Sequence, residues 1–269
     1  MWDTASYLMA LIAAQRLQII DNKEFEEKLG KALKTLGNLT LFDGQLPNKS
    51  YNTISLQMAD YKNNVTDRGV GWSAIDVGRI LIPLNIIIWN YPKFMQEVRV
   101  IVGKWQLPKI LVNGELHGAT VDPASNKTVY VQEGRLGYEE YSAKSFNLLG
   151  LDVSKSMNYK DYLTFVDIYG IDIPIDKRDP EKFHAHNYVV SESYILDGLE
   201  YGWDYMSKEF AYRVFKAQEA RYQDTGMVTA VSEDNIKDDP YFVYNTVYTD
   251  GKAWNAIGEK GEDATQFKT

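Results

Sequence analysis

The sequence predicts a mainly α fold: an incomplete (α/α)6-toroid-like array of helical hairpins with short β-hairpin excursions. Three observations carry that expectation. Apolar residues recur at helical spacing in paired stretches. Four such pairs follow at roughly 55–70-residue intervals, without the fixed short period of a tetratricopeptide or HEAT array. The longer loops all follow one side of the pair. In a toroid the inner helices form a funnel wall and the loops at one rim build a cleft. A six-hairpin ring needs about two more hairpins than the chain supplies.

The first pair covers residues 4–19 and 24–36. Leu8, Ile12 and Leu17 give the first helix its apolar stripe, and Asp21 caps the second. A long loop, 38–71, contains Leu46-Pro47-Asn48-Lys49-Ser50-Tyr51. The second pair is 73–89 and 93–105, where Ser73 with Asp76 three residues on resembles a capping box with Asp in place of Glu. A hairpin excursion follows at 110–112 and 128–131, turning first at Asn113-Gly114. The third pair is 135–149 and 159–168, and the fourth 193–201 and 204–222. Strands at 227–231 and 242–248 flank an Asp-rich loop. No linker rich in Pro, Gly or Ser divides the chain, so residues 1–269 read as a single domain, either a trimmed piece of a longer one or an incomplete ring.

Composition narrows the function. Of 269 residues, 45% are hydrophobic and 25% charged, an ordinary globular balance. The net charge of −8 argues against nucleic acid, which needs a basic face. No apolar run reaches the roughly 18 residues of a membrane span. The longest, Ile80 to Trp89, is broken by Pro83 and Asn85 and reads as a buried helix. Cysteine is absent, which excludes disulfides, thiolate nucleophiles and Cys-ligated zinc. Nineteen Tyr, 10 Phe and 6 Trp on an acidic chain suit a carbohydrate-handling surface. Met1-Trp2-Asp3 opens with no basic region or cleavage site, so the chain reads as cytoplasmic or as trimmed of an export signal. His184 and His186 lack a third histidine nearby and read as an ordinary loop rather than zinc ligands.

Four stretches can carry chemistry. In Gly71-Trp72-Ser73-Ala74-Ile75-Asp76-Val77-Gly78-Arg79, Trp72 precedes a helix start, where its ring can line a rim and stack on a sugar. Asp76 and Arg79 share a helix face, which fits either a site or an internal ion pair. In Gln132-Glu133-Gly134-Arg135-Leu136-Gly137-Tyr138-Glu139-Glu140-Tyr141, two glycines in the first turns of a helix cost about 1 kcal/mol each relative to Ala. That cost suggests close approach to the backbone. Glu133 lies at the helix entrance beside Arg135 and Tyr138, suited to a general acid or, more plainly, to complementing the helix dipole. Glu139 is its rival. Thr225 to Asn235 contributes the loop carboxylates Glu233 and Asp234, with a weak calcium pattern that matches no EF-hand. Ser191 and Glu192 open a fourth helix at the same rim. Nucleotide-binding and serine-hydrolase signatures are missing.

Together these stretches, with Leu46-Pro47-Asn48-Lys49-Ser50-Tyr51 and Trp2-Asp3, resemble the bacterial family called domain of unknown function 3131, over nearly the whole chain. The resemblance implies similarity to (α/α)6-toroid carbohydrate-active enzymes of the glucoamylase-like and endo-β-1,2-glucanase groups. It also implies a bacterial envelope setting, periplasmic or extracellular. The family usually has a helix before Trp2-Asp3 and a helical hairpin after Trp254, both missing here.

The expectation is a glycoside hydrolase acting on a bacterial polysaccharide, a β-glucan among the candidates. Glu133 is the acid, with Glu139 as rival, and Asp76, Glu233 or Asp234 the base. Inversion rests on analogy with toroid hydrolases. Trp72, Tyr51, Tyr138 and Tyr222 supply stacking platforms, while Arg79, Arg135 and Glu192 bind or orient the sugar. No metal or cofactor is required, and the partner is a polysaccharide or oligosaccharide. The alternatives are a non-catalytic polysaccharide-binding module and a polysaccharide lyase, the latter disfavoured by the acidic balance.

Overall fold

The structure, a computed structural model, describes residues 1–133, 136–183, 187–229, 231–258 and 261–267. It overturns the toroid. The described residues form eight α-helices, 45% of the chain, with 20% strand in small antiparallel sheets, a mixed α/β fold without a ring of hairpins. Packing groups the chain into two units. One holds Met1–Tyr130 and Lys144–Asp152, the other Val131–Ala143 and Val153–Thr269.

In the first unit, α1 (Trp2–Arg16), α2 (Asn22–Asn38), α3 (Ala74–Asn90) and α4 (Pro92–Gly103) pack as two helical hairpins, α1 on α2 and α3, and α4 on α2 and α3. Asp21 caps α2 by accepting the Glu24 N–H at 2.8 Å, and Phe25, Leu29, Leu33 and Leu36 form its buried stripe. Most of α3 is buried, from Ala74 to Leu84, because it sits between α1, α4 and a strand. Ser73 caps it through the Asp76 N–H at 3.1 Å. Between α2 and α3, strands β1 (Leu41–Phe42) and β2 (Leu46–Pro47) pair, as do β3 (Ser50–Tyr51) and β4 (Met58–Ala59). After α4, β5 (Leu111–Val112), β6 (Glu115–Val121) and β7 (Thr128–Gln132) form a three-stranded sheet with β6 central. Asn113 (φ 53°) and Gly114 (φ 80°) make the first turn, as their sequence predicts.

Two family-like motifs are structural in this unit. Asn48 is fully buried, and its side chain accepts the Val70 and Gly71 N–H groups at 2.8 and 3.1 Å. Its amide donates to the Ser50 carbonyl at 2.6 Å. Tyr51 is a staple: its hydroxyl donates to the Thr40 carbonyl and accepts the Asn48 N–H, both at 2.8 Å. Gly71 has φ 115°, and a Cβ there would lie 1.9 Å from the Ala119 carbonyl oxygen. Only glycine lets β6 approach so closely, and the next residue, Trp72, pairs with it through the Ala119 N–H at 2.9 Å.

The second unit corrects the third hairpin. α5 (Tyr138–Leu148), which begins in this unit and ends in the first, is the expected helix, but 159–168 is not. Only Tyr159–Asp161 forms a short 3-10 turn, and Leu163–Ile168 is a strand, β8. It pairs with β9 (Ile171–Asp176) from Leu163↔Asp176 to Ile168↔Ile171. Both strands are rich in β-branched residues, and Tyr169 (φ 58°) and Gly170 (φ 75°) form the tight turn between them.

The short α6 (Pro180–Phe183) and β10 (Tyr188–Val189) follow, then α7 (Glu192–Tyr201) and α8 (Tyr205–Thr225). Asp204 and Ser207 form a full capping box on α8, and left-handed Gly202 and Gly226 end α7 and α8. The last strands are β11 (Glu233–Asn235), β12 (Phe242–Asn245), β13 (Tyr248–Thr249), β14 (Lys252–Ala253) and β15 (Ala256–Gly258). They form two antiparallel sheets in the orders β11-β12-β15 and β10-β13-β14. Of residues 227–231, predicted as a strand, the described ones, 227–229 and 231, lie outside every strand. The core of this unit gathers Phe210, Val214 and Ala217 of α8, Ile168 and Ile173 of the β8–β9 hairpin, and Val189, Tyr194, Val231 and Val247. No helix among the described residues is long and apolar enough to cross a membrane.

Candidate functional site

The start of α5 is built for close packing. Gly137 has φ 95°, and a Cβ there would lie 2.6 Å from the Ser193 hydroxyl and 3.3 Å from Cζ of Tyr194. It stands just before the helix rather than inside it, and α7 of the chain itself is what approaches its backbone. The Glu140 carboxylate closes the turn by accepting the Gly137 N–H at 2.6 Å. Gly134 and Arg135, with His184 and His186, fall outside the described residues.

The adjacent Tyr138, 1% exposed, is the centre of a polar and aromatic cluster that joins it to four other elements of the second unit. Its hydroxyl donates to Glu192, the first residue of α7, at 2.9 Å. Its ring meets the Tyr188 ring of β10 edge-on, centroids 6.1 Å apart. The Tyr188 hydroxyl donates to Glu233 of β11 at 2.8 Å. Tyr188 stacks at 4.4 Å on Tyr244 of β12, which is the cross-strand partner of Glu233. Burial raises the Tyr138 phenol well above its ordinary value, and the negative charges of Glu233 and then Glu192 push the same way. Both carboxylates therefore act on one hydroxyl, and both are partly exposed.

Glu139 does something different. It is 2% exposed, with Oε1 accepting from Gln132 at 3.1 Å and Ser156 at 2.9 Å, and Oε2 from Arg178 at 2.9 Å. Arg178 also holds Asp176, through Nε at 3.0 and 2.9 Å, and its guanidinium lies 4.0 Å from the centre of the Tyr162 ring. Burial lifts Glu139 to about 7 against the opposing pull of Arg178. Burial and the neighbouring Glu139 lift Glu140 to about 8. The raised value expected of a general acid is thus found in a carboxyl whose oxygens are taken up by internal donors, so Glu139 serves the fold.

The other expected residues scatter. Glu133 is buried, 5% exposed, directly after β7. Asp234 is exposed, accepting from the Asn245 amide at 3.2 Å. Tyr222 is exposed near the end of α8. Trp72 is fully buried, its indole N–H donating to the His117 carbonyl at 3.2 Å and its ring against Phe42 and Tyr130, so no face is left for a sugar. Tyr51 is held in the staple already described, and burial raises its phenol to about 12. Asp76 accepts from the Ser73 hydroxyl at 3.2 Å, and the Arg79 guanidinium lies 4.1 Å over the Trp2 ring. Trp72, Tyr51, Asp76 and Arg79 all belong to the first unit, whereas the tyrosine–carboxylate cluster belongs to the second.

Of the cluster, Tyr138, Glu192 and Glu233 were visible in the sequence. Tyr188 and Tyr244 were missed. Their signal, Tyr in short strand-like runs, is shared by many other positions. Among the described residues no group of three His, Asp or Glu side chains is placed to hold a metal ion.

No curated protein and no solved structure matches this chain. The family model described as "Protein of unknown function (DUF3131)" matches residues 1–269, and the chain belongs to that family.

Proposed function

We propose that the cluster around Tyr138 is a glycan-processing site, and that Glu192 and Glu233 are the carboxyl pair of a glycoside hydrolase acting on a bacterial polysaccharide. One observation carries the reading: two partly exposed carboxylates from distant segments converge on an edge-packed tyrosine pair. Glycoside hydrolysis needs that inventory. One carboxyl, protonated, gives its proton to the glycosidic oxygen as the bond to the anomeric carbon breaks. The other carboxylate takes a proton from the water that bonds to that carbon, or attacks the carbon itself in the retaining course. The Tyr188 and Tyr244 rings are buried and stacked on each other, and they hold the Tyr188 hydroxyl that donates to Glu233. Tyr138 fixes the Glu192 carboxylate. The inverting course, which rested on the toroid analogy, goes with the toroid; the separation of the carboxyls in a sugar complex decides between the two.

The test is incubation with a panel of bacterial β-glucans and exopolysaccharides, followed by product analysis and by a binding measurement on each polymer. New reducing ends from at least one polymer support the reading. Unsaturated products point to a lyase, and binding without release points to a non-catalytic module; either result removes the hydrolase.

A further inference from the structure

The helix α8 carries two faces. Phe210, Val214, Ala217 and Arg221 are buried on one side. On the opposite side Tyr205, Tyr212, Phe215 and Tyr222 are 85%, 59%, 56% and 53% exposed. Exposed Lys208 and half-exposed Glu219 complete the same stripe. Positions 205, 208, 212, 215, 219 and 222 step by three and four in turn, the a and d positions of a heptad. Single exposed rings are ordinary, but four along one helix, opposite a face that already supplies the core, form an aromatic stripe punctuated by Lys208 and Glu219.

The charges say what covers it. Lys208 and Glu219 lie equally far from the midpoint between Tyr212 and Phe215. A second α8 laid antiparallel about a two-fold axis at that midpoint sets each Lys208 against the other copy's Glu219, each Tyr212 against Phe215, and each Tyr205 against Tyr222. A parallel pairing would instead stack Lys208 on Lys208 and Glu219 on Glu219, like charge on like charge. Within one chain Glu219 is already paired with Lys216 one turn away, a surface ion pair of small worth that leaves the carboxylate available to a second cation.

We infer that α8 is a self-association surface through which two copies of this chain pair antiparallel as an isologous dimer. The helix has 21 residues, about 31 Å at 1.5 Å per residue, so the interface is small and the dimer concentration-dependent. The Tyr222 ring then serves this face rather than a sugar.

Sedimentation velocity over a series from micromolar to several hundred micromolar tests it, with far-UV circular dichroism checking that each variant is folded. The wild type should pass from monomer to dimer, and Phe215→Lys should abolish the dimer with helicity unchanged. Lys208→Glu and Glu219→Lys should each weaken dimerisation about tenfold, since two symmetric contacts change sign. Lys208→Glu combined with Glu219→Lys should restore it. A wild type that stays monomeric, a dimer indifferent to Phe215→Lys, or a charge swap that fails to rescue overturns the proposal. So does an oligosaccharide that binds the monomer and is lost with Phe215→Lys, because a sugar is then what covers the face.

Discussion

Replacing Arg178 by Met removes the cation that pairs with two buried carboxylates, Glu139 and Asp176, whose side chains are each 2% exposed. Asp176 keeps the Arg178 backbone N–H at 2.8 Å, and Glu139 keeps Gln132 and Ser156. Breaking a buried ion pair on one side costs about 3–5 kcal/mol when the other charge is stranded. That cost depends on pH. Arg178 holds Glu139 down near 7, and without it burial drives the carboxyl higher still. At about pH 5.5 Glu139 is protonated with or without Arg178, so the Glu139 share of the loss is that of a hydrogen bond, on the order of 1–3 kcal/mol, added to what Asp176 loses with its cation at either pH. At about pH 8.5 the variant must either bury an unpaired charge or hold a proton against the solution, and the loss grows towards the full 3–5 kcal/mol. Urea denaturation at both pH values measures the difference. Adding Glu139→Gln to the variant should recover part of the loss at the higher pH. Equal losses at both pH values, or a loss under about 1 kcal/mol at pH 8.5, would refute the reasoning.

Three further outcomes follow from the same structure. The wild-type protein should lose stability as pH rises from about 5 to 8: Glu139 and Glu140 have folded values raised from 4.5 to about 7 and about 8, so the folded state binds protons that the unfolded chain releases, by a few kcal/mol in all. Denaturation midpoints across that range check the sign. Gly137→Ala should cost about 1–3 kcal/mol in the same assay, because φ 95° is strained for alanine and its Cβ would press on Ser193. Trp72→Ala should cost about 3–5 kcal/mol by leaving a core cavity, while any glycan bound by the remaining folded protein should bind as tightly as before.

Much of the helical skeleton was legible because its signals are local. Asp21, Ser73 and Asp204 announce helix starts that the structure uses, and Gly226 ends α8 in the left-handed conformation. The toroid failed because it extended a count of pairs to a segment that is no helix. Residues 163–176 are two β-branched runs around Tyr169-Gly170, a hairpin pattern that competes with helical periodicity in short apolar stretches. Aromatic residues were read as platforms, yet sequence does not say which rings face inward. Trp72 is drawn into the core by the β6 strand that packs on Gly71, and the Tyr51 hydroxyl is taken up by the Asn48 backbone N–H and the Thr40 carbonyl. At the candidate site, Glu233 was visible as a loop carboxylate, Tyr138 in the first turn of a helix and Glu192 at a helix start. Their convergence was not, since it depends on contacts spanning 54 and 45 residues along the chain.

The central claim is that Glu192 and Glu233 do the chemistry while Glu139 holds the fold. The most direct measurement is the initial rate of reducing-end release from the best polymer by the wild type, Glu192→Gln, Glu233→Gln and Glu139→Gln, each normalised to folded protein. The account expects release to fall at least about a hundredfold in the first two, the scale of lost acid–base catalysis, and to stay within a few fold of wild type in the third. Full-rate release by Glu192→Gln or Glu233→Gln, or a comparable collapse only in Glu139→Gln, would contradict it.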